Sequence, residues 1–334
     1  MKIWTSPYTL TPRLASLGGH AKKFVREGVL MKVEYDDASI GYADIHPWTE
    51  LGDEPLGIQL QKLENFETTA LTQRSLELAT LDAEARKSGV SLFQGLKVPE
   101  SHFLITDLKT GFAGELKRAL DEGFSTLKIK VGRSVAALTE DRAVLEAQVS
   151  SLQNFRLRFD FNSQRNVLEV QAWIESLSPA LRNAIEFLED PCQWNIGNWM
   201  TLHESTHVGL ALDHDSDEIF TNEASPGDPV SQLLTTAVVK TAVQDPSQIQ
   251  NLALKYVLTS YLDHPVGQMG AALEAGFLAE RAKVITCGLL SHTAYETNSY
   301  SEQFPSKGPQ LLAPLNEAGI GFGELLEKEN WQEL

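Results

Sequence analysis

Cysteine and long apolar runs are both scarce in this sequence. Its 334 residues include two cysteines, Cys192 and Cys287. Two thiols could form one disulfide bond, but reduced, half-buried thiols are the more usual state of such a pair in a chain of this kind. No uninterrupted apolar run reaches the roughly 18 residues of a membrane span, and the N-terminal residues lack the pattern of a signal peptide. We therefore expect a cytoplasmic protein with no membrane partner.

Positive charge is scarce as well. The chain has 28 lysine and arginine residues against 45 aspartate and glutamate residues, which gives a formal net charge of −17. Such a chain has no general electrostatic attraction for nucleic acid or for an anionic membrane surface. The sequence also lacks the Gly-x-Gly-x-x-Gly and Gly-Lys-Ser/Thr loops that bind dinucleotides and phosphates. We expect no nucleic-acid partner, and the composition leaves the oligomeric state open.

The first part of the chain, residues 1–99, does not alternate between strands and helices. Its candidate strands and helices are Lys2–Tyr8, Val29–Tyr35, Ile40–Asp44, Leu56–Phe66 and Thr72–Ser88. Strands that come first, with helices after them, are typical of an α+β domain. We therefore predict a separate α+β domain over residues 1–99.

Strand–helix alternation begins near residue 100 and continues to about residue 304. The candidate strands are Phe103–Thr106, Thr126–Val131, Arg156–Phe161, Ala184–Leu188, Val208–Leu212, Ala237–Lys240, Tyr256–Ser260 and Val284–Cys287. Helices are expected between them, two of them over Val230–Thr236 and Ser247–Lys255. Eight such units over roughly 200 residues predict an α/β fold with a (β/α)₈ TIM barrel. Residues 305–334, with a strand-like Ile320–Phe322, are expected to return to the first domain.

Three carboxylates stand at the ends of successive barrel strands. Asp160, Glu189 and Asp213 end strands three, four and five, and the carboxyl ends of barrel strands meet at one face. Clustered carboxylates repel one another unless a cation lies among them. Hard oxygen ligands suit Mg²⁺, for which Mn²⁺ could substitute. Alternatively, each carboxylate could cap the following helix or pair with an arginine.

Three lysines flank these carboxylates. Lys128 and Lys130 alternate with apolar residues, so both point to one face of the second strand, which we expect to be the barrel interior. Lys240 ends the sixth strand, across the barrel mouth. The alternatives are an exposed edge strand for the pair and a solvated position for Lys240. A metal between opposed lysines is suited to proton abstraction from a carbon beside a carboxylate of a small-molecule substrate.

The combined pattern resembles the muconate-lactonising branch of the enolase superfamily. The resemblance is carried by Lys128-x-Lys130, Asp160-x-Asn162, Glu189-Asp190-Pro191, Asp213 and Lys240. In the N-terminal region Arg26-Glu27-Gly28 and Gly41–Trp48 resemble the capping domain of that superfamily. Within the branch, His46-Pro47-Trp48 with Leu51-Gly52-Asp53, and the ends of the last two barrel strands, are most similar to the o-succinylbenzoate synthase family.

This resemblance implies a capping domain completed by the C-terminal segment and a specific lyase reaction. The substrate would be 2-succinyl-6-hydroxy-2,4-cyclohexadiene-1-carboxylate, dehydrated through an enediolate to 2-succinylbenzoate in menaquinone biosynthesis. Lys130 would be the base and then the acid, Lys240 would stabilise the opposite face, and Lys128 would add positive charge. The implied substrate contacts are Asn162, Ser260, Gly288, Leu289 and Gly19, the last in a Gly18–His20 loop that would close over the site.

The sequence also departs from the family pattern. Asp213-His214-Asp215 stands where Asp-Glu-Ser is common, which leaves the hydrogen bonding around Asp213 open, and Asp44 stands where glutamate is common. The eighth strand lacks the Asp-x-Asp motif of dipeptide epimerases. The alternative functions are an N-acylamino acid racemase, a dipeptide epimerase or a cycloisomerase on the same scaffold, or a barrel without catalytic activity.

Overall fold

A computed structural model describes the chain over residues 1–13, 25–214, 216, 233–249 and 254–334. The expected Gly18–His20 loop, with Gly19, and Asp215 lie outside the described residues. In the described part no helix is both long and apolar enough to cross a membrane. Cys192 and Cys287 are free, buried thiols.

The N-terminal region is an antiparallel sheet covered by a helix. Its strands are β1 (Lys2–Leu10), β2 (Arg26–Glu34) and β3 (Ile40–Ile45), followed by a 3₁₀ turn at Thr49–Leu51 and by helices α1 (Leu56–Glu64) and α2 (Ala70–Ser88). Thr69 caps α2 in a capping box, and the left-handed Gly89 ends it. Gly41 lets β3 lie directly against α2, since an ideal Cβ there would sit 1.8 Å from the carbonyl oxygen of Ala79. Strand β3 and helix α2 are therefore closely packed in this N-terminal region.

The central sheet is parallel and has eight strands. They are β4 (Phe103–Ile105), β5 (Thr126–Lys130), β6 (Arg156–Asp160), β7 (Ile185–Glu189), β8 (Leu210–Leu212), β9 (Leu234–Lys240), β10 (Lys255–Thr259) and β11 (Lys283–Val284). They pair in sequence order. The ring closes through a parallel bridge between Ser101 and Cys287, where the His102 N–H group donates to the Cys287 carbonyl oxygen at 2.7 Å. The predicted (β/α)₈ barrel is confirmed.

Helices cover the outside of the barrel. They are α3 (Phe112–Asp121), α4 (Val135–Ala147), α5 (Val149–Leu152), α6 (Val167–Ser176), α7 (Pro179–Ala184) and α8 (Ile196–Thr206), followed by a helix over Pro265–Ala279. Strand alternation divides the core in two. Leu127, Ile129 and Phe159 are buried under the helices, whereas Phe187, Ala211, Val238 and Val257 form a small cluster of their own. The polar residues of the strands are therefore left to face the barrel mouth.

The C-terminal segment returns to the first sheet. It contains a 3₁₀ turn at Ser291–Ala294, helices over Ser299–Glu302 and Gly323–Glu327, the hairpin of β12 (Ser306–Lys307) and β13 (Gln310–Leu311), and β14 (Gln332–Glu333). Strand β14 pairs antiparallel with β1, so the order of the first sheet is β14-β1-β2-β3. The C-terminal segment thus completes the capping sheet, as expected. The boundaries near residues 99 and 305 stay a prediction.

Three expected elements differ from the structure. Leu234–Thr236 belong to β9 and not to a helix, because Leu234 pairs with Leu210 of β8 in the closed sheet. The expected helix Ser247–Lys255 is reduced, in its described part, to a 3₁₀ turn at Pro246–Ile249, and Lys255 begins β10. Ile320–Phe322 is not a strand, since Gly321 and Phe322 have φ angles of 93° and 59°.

Candidate active site

The six predicted catalytic and ligand residues meet at the carboxyl end of the barrel. Lys130, Asp160, Glu189 and Lys240 are each the last residue of a strand, and Asp213 follows β8 directly. Asp160 is the register partner of both Lys130 and Glu189. Lys128 lies one inward-facing position below Lys130. Parallel pairing therefore brings these groups together although they are far apart in sequence.

Each carboxylate of this group is paired with a lysine. Lys128 Nζ lies 2.5 Å from Glu189 Oε1 and 3.0 Å from Asp160 Oδ2. Lys130 Nζ lies 2.6 Å from Asp160 Oδ2, and Lys240 Nζ lies 2.5 Å from Asp213 Oδ1. Because Asp160 and Glu189 are each 1% exposed, their charges are balanced by these contacts and not by water.

Burial and charge shift the pKa values of these groups. Burial alone would raise the pKa of Asp160, but the ammonium groups of Lys128 and Lys130 outweigh it and hold that pKa well below its usual value. Burial, aided by the charges of Asp160 and Asp213, raises the pKa of Glu189 to about 8 despite the contact with Lys128. Glu189 therefore holds a proton near neutral pH when lysines are the cations beside it, and a further cation would favour its ionised form.

Asp190 and His214 organise the end of β8. Asp190 accepts hydrogen bonds from the backbone N–H groups of Asp213, at 2.9 Å, and His214, at 3.2 Å, and its Oδ2 also contacts His214 Nδ1. Asp190 is buried, and this hydrogen bond raises the pKa of His214 to about 9. His214, which departs from the family pattern, is thus held by Asp190. The same aspartate fixes the backbone that carries Asp213.

Left-handed backbone conformations occur where two strands leave the barrel. Asn162 has a φ angle of 48° and Asp190 one of 42°. Such angles are strained for residues other than glycine, although asparagine and aspartate adopt them most readily. At Asn162 the turn places Oδ1 3.0 Å from Lys130 Nζ, so that lysine is held by two oxygen groups.

Several side chains at the barrel mouth could hold a metal ion. Lys128 Nζ lies within hydrogen-bond distance of Asp160 and Glu189 at once, so two of the three predicted ligands already converge on a cationic group. In the described part of the chain, the three potential ligands within 4.8 Å of one another are Asp190, Asp213 and His214. The oxygens of Asp190 are already used by backbone N–H groups. Asp160, Glu189 and Asp213 offer hard oxygen atoms of the kind that suit a divalent cation, and they stay the predicted ligand set.

A cavity of about 280 Å³ opens above these residues. All three lysines line it, as do Asn162, Asp213, Ser260 and Gly288, four of the predicted site residues. Ser260 Oγ donates to Ser291 Oγ at 2.7 Å. Leu289, by contrast, is fully buried and its N–H group donates to Ser101 Oγ at 3.1 Å, so the structure does not place its side chain in the cavity.

His102 and Arg158 are not among the site residues predicted from the sequence. His102 lines the cavity from the start of β4, and Arg158 lies behind it, fully buried. Strand parity could have indicated both residues. His102 and Thr106 flank β4 with the same parity, and Arg158 has the parity of Asp160 on β6, so each shares a face with a residue of the barrel mouth.

Comparison with known proteins agrees with this architecture. The family model described as the N-terminal domain of O-succinylbenzoate synthase matches residues 3–85, and the model described as enolase C-terminal domain-like matches residues 111–221. An o-succinylbenzoate synthase of Bdellovibrio bacteriovorus is 34% identical over 100% of this chain and 99% of its own length. The chain belongs to the o-succinylbenzoate synthase family. It is therefore an enzyme of the lyase class, in the enolase superfamily.

Another o-succinylbenzoate synthase and two solved structures match this chain at lower identity. The Yersinia enterocolitica protein is 25% identical over 78% of this chain and 81% of its own length. Among solved structures, the L-Ala-D/L-Glu epimerase of Bacillus subtilis matches with a TM-score of 0.77 at 16% identity, covering 96% of this chain and 98% of the epimerase. The muconate lactonizing enzyme of Pseudomonas putida matches with a TM-score of 0.69 at 16% identity, over 96% and 95% of the two chains. At such identities these structures establish the fold alone.

The N-terminal region of this o-succinylbenzoate synthase family member contributes to the cavity. Trp48 and Leu51 line it from the segment after β3. The guanidinium of Arg26 lies 3.7 Å from the centre of the Trp48 ring, and its Nη1 donates to Glu50 at 2.8 Å. This cation–π contact holds the indole in place over the barrel mouth.

Proposed function

We propose that this enzyme is an Mg²⁺-dependent o-succinylbenzoate synthase of menaquinone biosynthesis, acting in the cytoplasm. Its reaction would convert 2-succinyl-6-hydroxy-2,4-cyclohexadiene-1-carboxylate to 2-succinylbenzoate and water. The observation that carries the proposal is the full-length similarity to a protein of that name at 34% identity. The lysines and carboxylates at the barrel mouth supply the chemistry that such a dehydration needs.

Two lysines on opposite sides of the cavity have different tasks in this proposal. Lys130 Nζ takes the proton from the ring carbon beside the carboxylate. The bond between carbon and hydroxyl then breaks, and Lys130 returns the same proton to the departing hydroxyl, which leaves as water. The ring becomes aromatic without any oxidant. Lys240, on the other side of the ring, stabilises the electron-rich enediolate as an ammonium group.

The ligands in this proposal are Asp160, Glu189 and Asp213. A bound Mg²⁺ ion, or Mn²⁺ in its place, would supply electrostatic stabilisation of the charge that develops on the substrate carboxylate. Lys128, between Asp160 and Glu189, would then turn its ammonium group towards that carboxylate. Asn162 and Ser260 would orient the substrate, with Gly288 beside them, and Gly19 would contribute from the N-terminal loop.

The charge balance of the site supports a dicarboxylate substrate. The three lysines and three carboxylates at the barrel mouth neutralise one another in pairs. With all of these groups charged, a divalent cation would leave an excess of two positive charges, and an excess of one once Lys130 has lost its proton to act as the base. A substrate with two carboxylate groups would offset this excess beside the buried Asp160, Glu189 and Lys128, and such an offset strengthens binding where the dielectric constant is low.

The proposal is tested by following the ultraviolet absorbance of the cyclohexadiene substrate with purified enzyme. Mg²⁺ should be required, so turnover should vanish with EDTA and return when Mg²⁺ or Mn²⁺ is added. An enzyme at micromolar concentration that leaves the absorbance unchanged in the presence of Mg²⁺ would refute the proposed activity.

A racemase is the second candidate, because Lys130 and Lys240 both reach the cavity and could act as acid and base on opposite faces of a substrate. Optical rotation of N-succinyl amino acids measures that activity. A synthase in the proposed sense should turn over the cyclohexadiene far faster than it racemises these amino acids. The reverse ratio would favour the racemase.

A further inference from the structure

One hydrogen-bond donor in the cavity has no task in the proposed reaction, the imidazole of His102. His102 directly precedes β4 and is 8% exposed. It lines the cavity beside Gly288 and Thr259. An ideal Cβ atom built at Gly288 would lie 3.1 Å from His102 Nε2, so this nitrogen is directly against the backbone of Gly288.

Arg158 determines which nitrogen of His102 carries the proton. His102 Nδ1 lies 3.1 Å from Arg158 Nη1. A guanidinium group has no acceptor, so Nδ1 must accept this hydrogen bond and the proton must be on Nε2. Arg158 is itself fixed, since its Nε donates to Glu186 Oε2 at 2.7 Å and its Nη1 donates to the Thr286 carbonyl oxygen at 2.7 Å. The tautomer of His102 therefore follows from groups that cannot rearrange.

His102 is a neutral donor. Burial, followed by the positive charge of Arg158, lowers the pKa of His102 well below its usual value. Its hydrogen bonds to described residues involve the backbone N–H group and Nδ1. The Nε2–H group thus remains for a ligand in the cavity that His102 lines.

The position of His102 in the ring indicates which part of a ligand it meets. Asp160, Glu189 and Asp213 belong to β6, β7 and β8. His102 and Gly288 lie at the junction of β4 and β11, and in an eight-stranded ring β11 stands opposite β7. A substrate whose reacting carboxylate lies among the three carboxylates of the barrel mouth would extend its remaining atoms towards His102.

We propose that His102 is a substrate-binding residue whose Nε2–H group donates a hydrogen bond to the carboxylate at the end of the non-reacting side arm. This inference rests on the proposed function, in which that arm is the succinyl group. Arg158 is the positioning residue, because it holds the imidazole in the donor tautomer. Together they select a substrate whose side arm ends in an oxygen acceptor.

Two variants separate the donor from the contact with Arg158. His102→Asn places its Oδ1 close to the position of Nδ1, so an acceptor for Arg158 remains while the donor into the cavity is lost. His102→Gln places its amide nitrogen close to the position of Nε2, so a donor into the cavity remains. Calorimetry with Mg²⁺ present measures the binding of 2-succinylbenzoate and of 2-butyrylbenzoate, which lacks the terminal carboxylate. Thermal unfolding checks that both variants fold.

We expect His102→Asn to weaken the binding of 2-succinylbenzoate about tenfold and to raise KM by a similar factor, with a much smaller effect on kcat. Binding of 2-butyrylbenzoate should change less than threefold, and His102→Gln should recover most of the lost affinity. Equal affinities of His102→Asn and wild type for 2-succinylbenzoate, or equal losses for both ligands, would overturn the role of His102. A failure of the proposed function looks different, because the wild-type enzyme would then neither turn over the cyclohexadiene nor bind 2-succinylbenzoate.

Discussion

Asp263→Asn should change the pH dependence of stability, because Asp263 faces Asp44 in a buried carboxyl pair between the first sheet and the barrel. Asp263 is 2% exposed and Asp44 is 7% exposed. The Oδ2 atoms of both lie within 2.7 Å of the position that a Cβ at Gly267 would take. Tyr8 donates to Asp44 Oδ1 at 2.6 Å, whereas Asp263 Oδ1 has no hydrogen-bond partner among the described residues. Two carboxyl groups placed in this way should not both be ionised.

The pKa values determine the sign of the effect. Burial raises the pKa of Asp263 to about 7, and burial followed by the charge of Asp263 raises the pKa of Asp44. The folded protein then holds a proton between about pH 4 and pH 7 that the unfolded chain has released. Asp263 therefore contributes stability that is present below its unfolded pKa and is lost as the pH rises through about 7.

The magnitude follows from the size of this shift. Between the unfolded and the folded pKa of Asp263, each pH unit changes the free energy of unfolding by about 1.4 kcal/mol. About two such units separate pH 5 from the folded pKa, so between pH 5 and pH 8 the wild type should lose up to about 3 kcal/mol relative to Asp263→Asn. The neighbouring His46 and His264 act in the opposite direction, since burial lowers their pKa values to about 3. Only the difference between wild type and variant isolates the contribution of Asp263.

Urea unfolding at pH 5 and pH 8, followed by tryptophan fluorescence, measures this difference. Asp263→Asn should gain stability relative to wild type at pH 8. The control is Asp36→Asn, since the Asp36 side chain is 95% exposed and the variant should follow the wild-type pH dependence. Parallel pH dependences for wild type and Asp263→Asn would refute the buried carboxyl pair as a source of pH-dependent stability.

Three further outcomes follow from the contacts described above. Lys130→Ala should lower kcat for dehydration at least about 10³-fold while circular dichroism stays unchanged, and retained activity would mean that another group is the base. Glu189→Gln should weaken Mg²⁺ binding at least about tenfold by calorimetry, and an unchanged affinity would remove Glu189 from the ligand set. Gly41→Ala should destabilise the protein by about 2 kcal/mol or more in thermal unfolding, because its Cβ would meet the Ala79 carbonyl oxygen. The matched helix variant Gly57→Ala, with nothing within 4 Å of its Cβ, should be neutral or stabilising, and equal effects of the two would contradict the close approach at Gly41.

Much of the barrel could be predicted from the sequence, because each strand is a short buried run and successive strands pair in order. The same regularity predicted that Asp160 and Glu189 would be neighbours, since a strand-end residue meets the strand-end residue of the next unit. The helix expected over Val230–Thr236 failed because local propensity cannot show that Leu234 pairs with Leu210. Tertiary pairing determined the strand there.

The individual contacts of the lysines could not be predicted from the sequence. Alternation placed Lys128 and Lys130 on the inner face of one strand, and that is where they lie. Which carboxylate each lysine contacts depends on side-chain geometry that no pattern encodes. The pairing of Lys128 with Glu189, two strands away, is an example.

The contacts that the sequence could not reveal share one physical property, which is that they join residues far apart in the chain. His102 meets Arg158 across 56 residues, and the His264 N–H group meets Asp44 across 220. The first contact depends on closure of the barrel ring and the second on the packing of the first sheet against it. Neither depends on a repeat that successive strand units share. The repeating barrel therefore accounts for the lysines and carboxylates that resemble the enolase superfamily. His102, proposed to select the substrate arm, and the Asp44–Asp263 pair, proposed to titrate between the first sheet and the barrel, lie where this repeat is interrupted. Substitutions at His102 should change specificity and substitutions at Asp263 should change pH-dependent stability, while the proposed proton-transfer groups, Lys130 and Lys240, stay in position.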